Sequence, residues 1–480
     1  MNKPFILRAL GIVLLFEAGA MLPSAGIALV NHEKDMLAFA GAILTLLIFS
    51  LALSRAKLES NHIDYRAGFI IATGSWLLVT AFGSLPFIFS HDFPTFIDAF
   101  FESMSGFTTT GASVITDVET LSRSILFWRS TTHWLGGMGI IVLTLALFPS
   151  LKIAGMKLYR AEVPGPTKNK VLPQVAHSSR ILYKLYISIT AVEIIVLKIA
   201  GLSWFDSFIQ TFGTVATGGF SNYNASIAAF NNPVVEYIII FFMFICGINF
   251  ALYFYLLKGK LQPLWKDPET RLYSLVTIIA CLLICFNLIT VMGYGAEEAF
   301  RKSAFHTVSI LTTTGFATAD YTKWPALSQG AIFLLMFIGG CAGSTAGGIK
   351  NIRYLILFKS FSREVSKLIH PKAVIPIRIG GNVVPDEIVQ SVQIFFSLYF
   401  IILLVTTLAL AAMGIDLLSS LTAVAATLGN IGPGFGIVGP VSNFAAVPPL
   451  GKLMLSFCML LGRLEIYTVL VVISVRFWKN

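Results

Sequence analysis

The chain contains apolar runs of about 20 residues, and that length decides most of what it can fold into. Of its 480 residues, 56% are hydrophobic and only 12% are charged, against about 25% charged in a soluble globular domain. A run of this length crosses a bilayer as a helix, because a helix satisfies every backbone polar group within its own segment. The runs lack the apolar–polar alternation of a transmembrane β-strand. The expected fold is an all-α integral membrane protein with ten transmembrane helices. They lie near 6–30, 37–54, 67–90, 125–149, 181–201, 234–257, 272–294, 329–358, 388–413 and 450–475.

The formal net charge of +10 does not point to nucleic acid. Of 34 Lys and Arg, 25 fall in 1–8, 55–66, 152–184, 258–271, 350–378 and 476–479, all on one side of the expected topology. This is the positive-inside bias, and it places both termini in the cytoplasm. No basic soluble domain is left to bind nucleic acid; the surroundings are membrane lipid. The first run, with Lys3 and Arg8 before it, resembles a signal peptide. It continues to Val30, long enough to be retained as a spanning anchor. Cys246, Cys281, Cys285, Cys341 and Cys458 all sit in apolar segments and read as small core residues. His133, beside Trp134, reads as interfacial. Arg129, Glu193 and Lys198, also within spans, read as structural or interfacial.

Between some spans lie semi-apolar segments too short to cross, at 97–108, 205–216, 302–313 and 418–429. Each runs into a glycine-bearing stretch: FTTTGAS with Gly111, TVATGGFS with Gly218, LTTTGFA with Gly315 and LGNIGPGFG with Gly432. Asp98, Asp206, Ser303 and Ser420 stand 12 or 13 residues before these glycines and are expected to cap four short helices. The chain thus reads as two N-terminal helices (1–60) followed by four helix–pore-helix–helix repeats, at 61–155, 156–260, 261–365 and 366–480.

Irregular backbone at membrane depth is tolerated only inside protein or along a water-filled path. Four copies suggest a pseudo-fourfold ring. Short helices would aim their negative C-terminal ends at a central cation, and extended loops would turn carbonyls inward. The expected ion-binding residues are Thr109, Thr110 and Gly111; Ala216, Thr217 and Gly218; Thr313, Thr314 and Gly315; and Asn430, Ile431 and Gly432. The fourth set departs in its side chains, which makes an asymmetric pore. No base lies near the threonines to make them nucleophiles. No metal-ligand cluster or phosphate loop appears either, so an enzyme is not expected.

The strings DAFFESMSGFTTTGAS (98–113), HWLGGMGIIVL (133–143), LYRAEVPGP (158–166), IGGCAGSTAGGIK (338–350), LGNIGPGFG (428–436) and LGRLE (461–465) resemble the Trk/Ktr/HKT superfamily of potassium transport proteins. The resemblance covers nearly the whole chain. It implies a homodimer in the bacterial inner membrane with one pore per protomer. It also implies a TrkA-like cytoplasmic nucleotide-binding ring as partner, K+ as the transported ion and no cofactor bound by this chain. Glycine at 111, where sodium-type plant members carry serine, favours potassium.

GGCAGSTAGG, with five glycines in ten residues, interrupts the expected span 329–358. By itself it reads as close helix packing, or as a break in the helix. The resemblance implies a gating loop under the filter, 339–348, carrying Gly339, Gly340, Gly343, Ser344, Thr345, Gly347 and Gly348. It also implies that Arg463 faces the pore below the filter as a barrier to cations; a salt bridge with Glu465 is the structural alternative. The basic loops 150–180 and 359–378 read either as solvated turns or as docking surfaces for a cytoplasmic partner. The competing function is a proton- or sodium-coupled potassium symporter.

Overall fold

The fold is that of a computed structural model describing residues 3–55, 65–139 and 175–479. Two long apolar helices come first, α1 (Lys3–Val30) and α2 (Met36–Ser54), packed against each other. Then follow α3 (Tyr65–Gly83), α4 (Phe96–Phe107), α5 (Arg123–Gly137), α6 (Val175–Ile199), α7 (Trp204–Val215), α8 (Pro233–Cys246) and α9 (Phe250–Leu257). The rest comprises α10 (Pro268–Met292), α11 (Ala296–Leu311), α12 (Ala326–Leu335), α13 (Asn351–Ile369), α14 (Asp386–Ala412), α15 (Leu417–Leu428), α16 (Pro449–Arg463) and α17 (Tyr467–Ile473), with shorter helical turns between some of them. A two-residue hairpin, Arg378–Ile379 with Asn382–Val383, is the one departure from all-α among the described residues. Ile377 and Val384 beside it join a small apolar cluster with Ile352, Ile356, Val389 and Val392.

Ten unbroken spans are not what these residues form. Among the described residues, five helical stretches are long and apolar enough to cross a membrane by themselves: Lys3–Val30, Met36–Ser54, Arg66–Phe89, Pro268–Met292 and Asp386–Ala412. Two further expected spans are broken. Pro233–Cys246 and Phe250–Leu256 meet at 97°, and Pro449–Arg463 and Tyr467–Ile473 meet at 118°. The expected span 329–358 is two helices separated by irregular backbone from Met336 to Lys350. The physical reason is visible at the breaks. Gly247 ends α8, and the glycine-rich 339–348 cannot hold a helix interior. At the third break Glu465 and Ile466 take positive φ, 58° and 54°. The second half of the expected span 125–149, the string LYRAEVPGP and most of the basic loop 150–180 lie outside the described residues.

The short helices start one turn earlier than Asp98, Asp206 and Ser420 would place them. The caps are Thr95, Ser203 and Asp416, whose side chains accept from the N–H of Asp98, Asp206 and Ser419. Asp98 and Asp206 are the third residues of their helices and accept a hydrogen bond back from the cap hydroxyl, at 2.7 and 2.6 Å. An acid there also meets the positive end of the helix dipole. Ser303 is no cap at all, because α11 begins at Ala296, beyond the Gly295 cap.

Asp98 has a second partner. The Lys452 ammonium of α16 donates to its Oδ1 at 2.6 Å, and both side chains are less than a tenth exposed. This pair ties the start of the first short helix to the last repeat. Removing one member leaves the other charge buried and alone. Lys452→Met is expected to destabilise the protein by about 3–5 kcal/mol, and Asp98→Asn added to it to restore part of that loss. Thermal melting of the detergent-solubilised single and double variants checks both.

Candidate functional site: four converging loops and the segment beneath them

The four short helices end in the same way. Thr109, Thr217, Thr313 and Asn430 take left-handed backbone, with φ of 54°, 54°, 60° and 53°. Their N–H groups bond back to the carbonyls of Gly106, Thr214, Ile310 and Thr427. The next residues, Thr110, Gly218, Thr314 and Ile431, donate to Ser105, Gly213, Ser309 and Ala426 at 2.8–2.9 Å. This is a Schellman-type helix end. A β-branched threonine rarely adopts positive φ, at a cost of about 1–3 kcal/mol. Asparagine tolerates that region better. Asn430, which breaks the TTTG pattern in sequence, therefore preserves the left-handed turn at the end of its helix.

The backbone angles move the second set by one residue. Two residues after each left-handed turn stands a glycine with positive φ: Gly111 (80°), Gly219 (83°), Gly315 (80°) and Gly432 (100°). Gly219, not Gly218, corresponds to Gly111, and the matching triplet is Thr217-Gly218-Gly219. Ala216 is the end cap of α7. Gly218 is glycine for a different reason: a Cβ there would lie 2.5 Å from the His133 ring. His133, expected at the interface, is fully buried. It stacks on Phe220 with centroids 4.0 Å apart, and its Nδ1 is 2.7 Å from Gly106 O. Two adjacent glycines hid the register. The cap spacing reveals it, because Thr95 and Gly111, Ser203 and Gly219, and Asp416 and Gly432 are each 16 residues apart.

The loops meet in cyclic order. A Cβ on Gly111 would collide with Gly218 O, one on Gly219 with Thr314 O, and one on Gly315 with Ile431 O. A Cβ on Gly432 would lie 2.7 Å from Thr110 O. Each glycine thus faces the carbonyl that precedes the next loop's glycine, and the fourth closes on the first. All four glycines line one cavity of about 140 Å³, together with Ser113, Ser221, Ala317 and Asn443. Beyond the glycines the loops are stitched to one another in the same order. Arg129 donates to Ser221 O at 2.9 Å, and Ala228 N to Ala317 O at 3.3 Å. The Tyr321 hydroxyl donates to Gly434 O at 2.8 Å, and Phe444 N to Ser113 O at 2.8 Å. Arg129 is itself neutralised by Glu102, at 2.6 Å. Lys198 reaches Leu202 O near the end of its helix.

On the other side of the ring lies the irregular segment 339–348. Gly347 N donates to Thr313 Oγ1 at 2.6 Å, which fastens the segment to the third loop. Cys341 N donates to Gly247 O at 2.8 Å. The Glu269 carboxylate accepts from Ala342 N at 2.7 Å and Ile352 N at 2.9 Å, holding the segment and the start of α13. Asn351 donates to Gly339 O at 2.6 Å, and Ser344 closes on Cys341 O. Gly340, Gly343 and Gly348 are packed within the segment or against Asn249 and Thr313. Arg463 donates to Thr345 O and Gly137 O, each at 2.9 Å, and to Gly136 O. It joins the segment to the end of α5. Glu465 pairs with Arg353 instead of Arg463. Glu269, Asn351 and Arg353 were not singled out from sequence. The only signal was an acid and a base at the ends of apolar runs, and that signal is weak.

A family profile described as TrkH, cation transport protein, matches residues 34–479. The chain is 40% identical over 485 residues to the Trk system potassium uptake protein TrkH of Salmonella typhimurium, covering 99% of each. It is 38% identical over 468 residues to the Trk system potassium uptake protein TrkG of Escherichia coli, covering 96% of each. The crystal structure of the potassium transporter TrkH from Vibrio parahaemolyticus matches with a TM-score of 0.90 at 36% identity, over 100% of both chains. The chain is therefore a transport protein and not an enzyme, and it belongs to the TrkH family of cation transport proteins.

Proposed function

We propose that this protein takes up potassium through a pore whose filter is the ring of four loops. The observation that carries the reading is the cyclic approach of each loop glycine to its neighbour's carbonyl. Carbonyl oxygens brought that close around an axis can replace the hydration shell of a cation. The four short helices end at this ring, so their dipoles add negative potential there. The relatives' names supply the ion, potassium.

The filter lines are Thr109-Thr110-Gly111, Thr217-Gly218-Gly219, Thr313-Thr314-Gly315 and Asn430-Ile431-Gly432, in a pseudo-fourfold arrangement. K+ moves down its electrochemical gradient, and the chain binds no cofactor. The segment 339–348 is the gate, held under the filter by Arg463. Opening it means breaking the three carbonyl contacts of Arg463 and the Gly347–Thr313 bond. The short-helix caps face outward and both termini lie in the cytoplasm of a bacterial cell, in its inner membrane. The name "Trk system" on the relatives speaks of more than one component. A TrkA-like cytoplasmic nucleotide-binding ring is the proposed gating partner, and the proposed assembly is a homodimer.

Potassium and sodium flux into proteoliposomes under a clamped potential tests the reading. Gly219→Ala is expected to cut potassium-over-sodium discrimination about tenfold or more, the factor that ~1.4 kcal/mol of filter distortion produces. Gly218→Ala should be rescued by His133→Ala, whereas Gly219→Ala should not; equal rescue of both sinks the register. Arg463→Gln is expected to raise basal potassium flux about tenfold, since one hydrogen bond from a charged donor contributes roughly 1.5–3 kcal/mol. Unchanged flux in a folded variant counts against the gate.

A further inference from the structure

The residue nine positions before each loop glycine is Glu102, Gln210, His306 and Ala423 in chain order. The first three have no exposed surface, and each reaches from its short helix to the backbone or side chains two to four residues beyond the glycine. Glu102 Oε2 accepts from Val114 N at 2.9 Å, and Oε1 from the Ser113 hydroxyl at 3.0 Å. Gln210 Nε2 donates to Asn222 Oδ1 at 2.8 Å and Ser221 Oγ at 3.1 Å. His306 Nε2 accepts from Ala319 N at 3.1 Å and Thr318 N at 3.4 Å. In the fourth repeat the neighbouring Thr422 takes over, accepting from Phe435 N at 3.0 Å. Val114, Asn222, Thr318 and Phe435 are each third after their glycine.

The contacts of Glu102, His306 and Thr422 meet one need in their three loops. The chain leaving the ring is extended and has no ladder or helix partner for its N–H groups, and a buried N–H left unpaired is costly. In the second loop the amide at the shared position instead donates to the Asn222 and Ser221 side chains; in the first and third the same position answers that need with a carboxylate and an imidazole. His306 does so with a single atom serving two N–H groups. Because Nε2 is the acceptor, the ring hydrogen is on Nδ1 and the imidazole is neutral. Edge-on rings hold it in place, Trp324 at 5.0 Å and Tyr321 at 5.5 Å between centroids. Tyr321 in turn donates to Gly434 O of the fourth loop. The imidazole therefore sits in a chain that runs from the third short helix through the third loop to the fourth.

We infer that His306 is a positioning residue for ion selection: through Nε2 it sets where the third loop's carbonyls stand in the ring. This rests on the potassium-pore reading above and deepens it. A group that only filled space could be replaced by an apolar side chain of similar size. A group that positions the loop needs an acceptor at the reach of Nε2, which glutamine supplies through Oε1 and leucine does not.

The test uses the full-length protein, with potassium and sodium flux in proteoliposomes at clamped potential and a thermal melt of each variant. His306→Gln is expected to keep the wild-type potassium-to-sodium ratio. His306→Leu is expected to lose about tenfold or more of it, since Thr318 N and Ala319 N are then left without their acceptor. A folded His306→Leu with the native ratio overturns the assignment. So does a His306→Gln that misfolds or loses the ratio, and this arm decides even where His306→Leu fails to fold. A wild type that passes no potassium brings down the pore reading itself. A selective wild type beside an equally selective His306→Leu brings down only the role of His306.

Discussion

Backbone that is neither helix nor sheet cannot lie bare in a membrane, because nothing there satisfies its polar groups. The rest of this structure follows from how it meets that constraint four times over. Each short helix closes its end with two back-bonds, and each loop leaves under the guard of a side chain from its own helix. The cost is concentrated in three threonines and one asparagine held at positive φ. They persist there because the surrounding contacts over-determine them.

Neighbouring loops then have little room for anything but glycine where they face one another. The close approach of each glycine to the next carbonyl is what makes the order cyclic. The same closeness explains why the copies tolerate different side chains around a common backbone. Glu102 with Arg129, Gln210 with Asn222, His306 and Thr422 support equivalent turns by different chemistry. A buried ion pair serves one position and a neutral ring serves another, since each only has to satisfy the groups it meets.

The segment under the ring obeys the same rule. Its amides are met by Glu269, Gly247 and Thr313 and its carbonyls by Arg463 and Asn351. Arg463 is held by three carbonyls drawn from two distant parts of the chain. The guanidinium there tethers the segment to the end of α5. Glu465 is engaged with Arg353.

Much of this was legible in the linear chain. Run length and charge bias alone imply a helical membrane protein, because hydrocarbon accepts few alternatives. The four glycine stretches mark the loops, because only such residues break a helix so regularly. What the chain alone left open is register and partnership. Gly218 and Gly219 are chemically identical, and only the neighbouring His133 ring and the backbone angle separate their roles. Asp98 looks like a cap until Thr95 is seen to precede it, and Asp98 turns out to hold Lys452. Runs read as single spans bend by about a right angle or more where the loops need room. Composition determines the solvent a segment must face. Which of two equivalent residues faces which partner is decided only when distant segments pack, since contacts across hundreds of residues leave no local trace in the sequence.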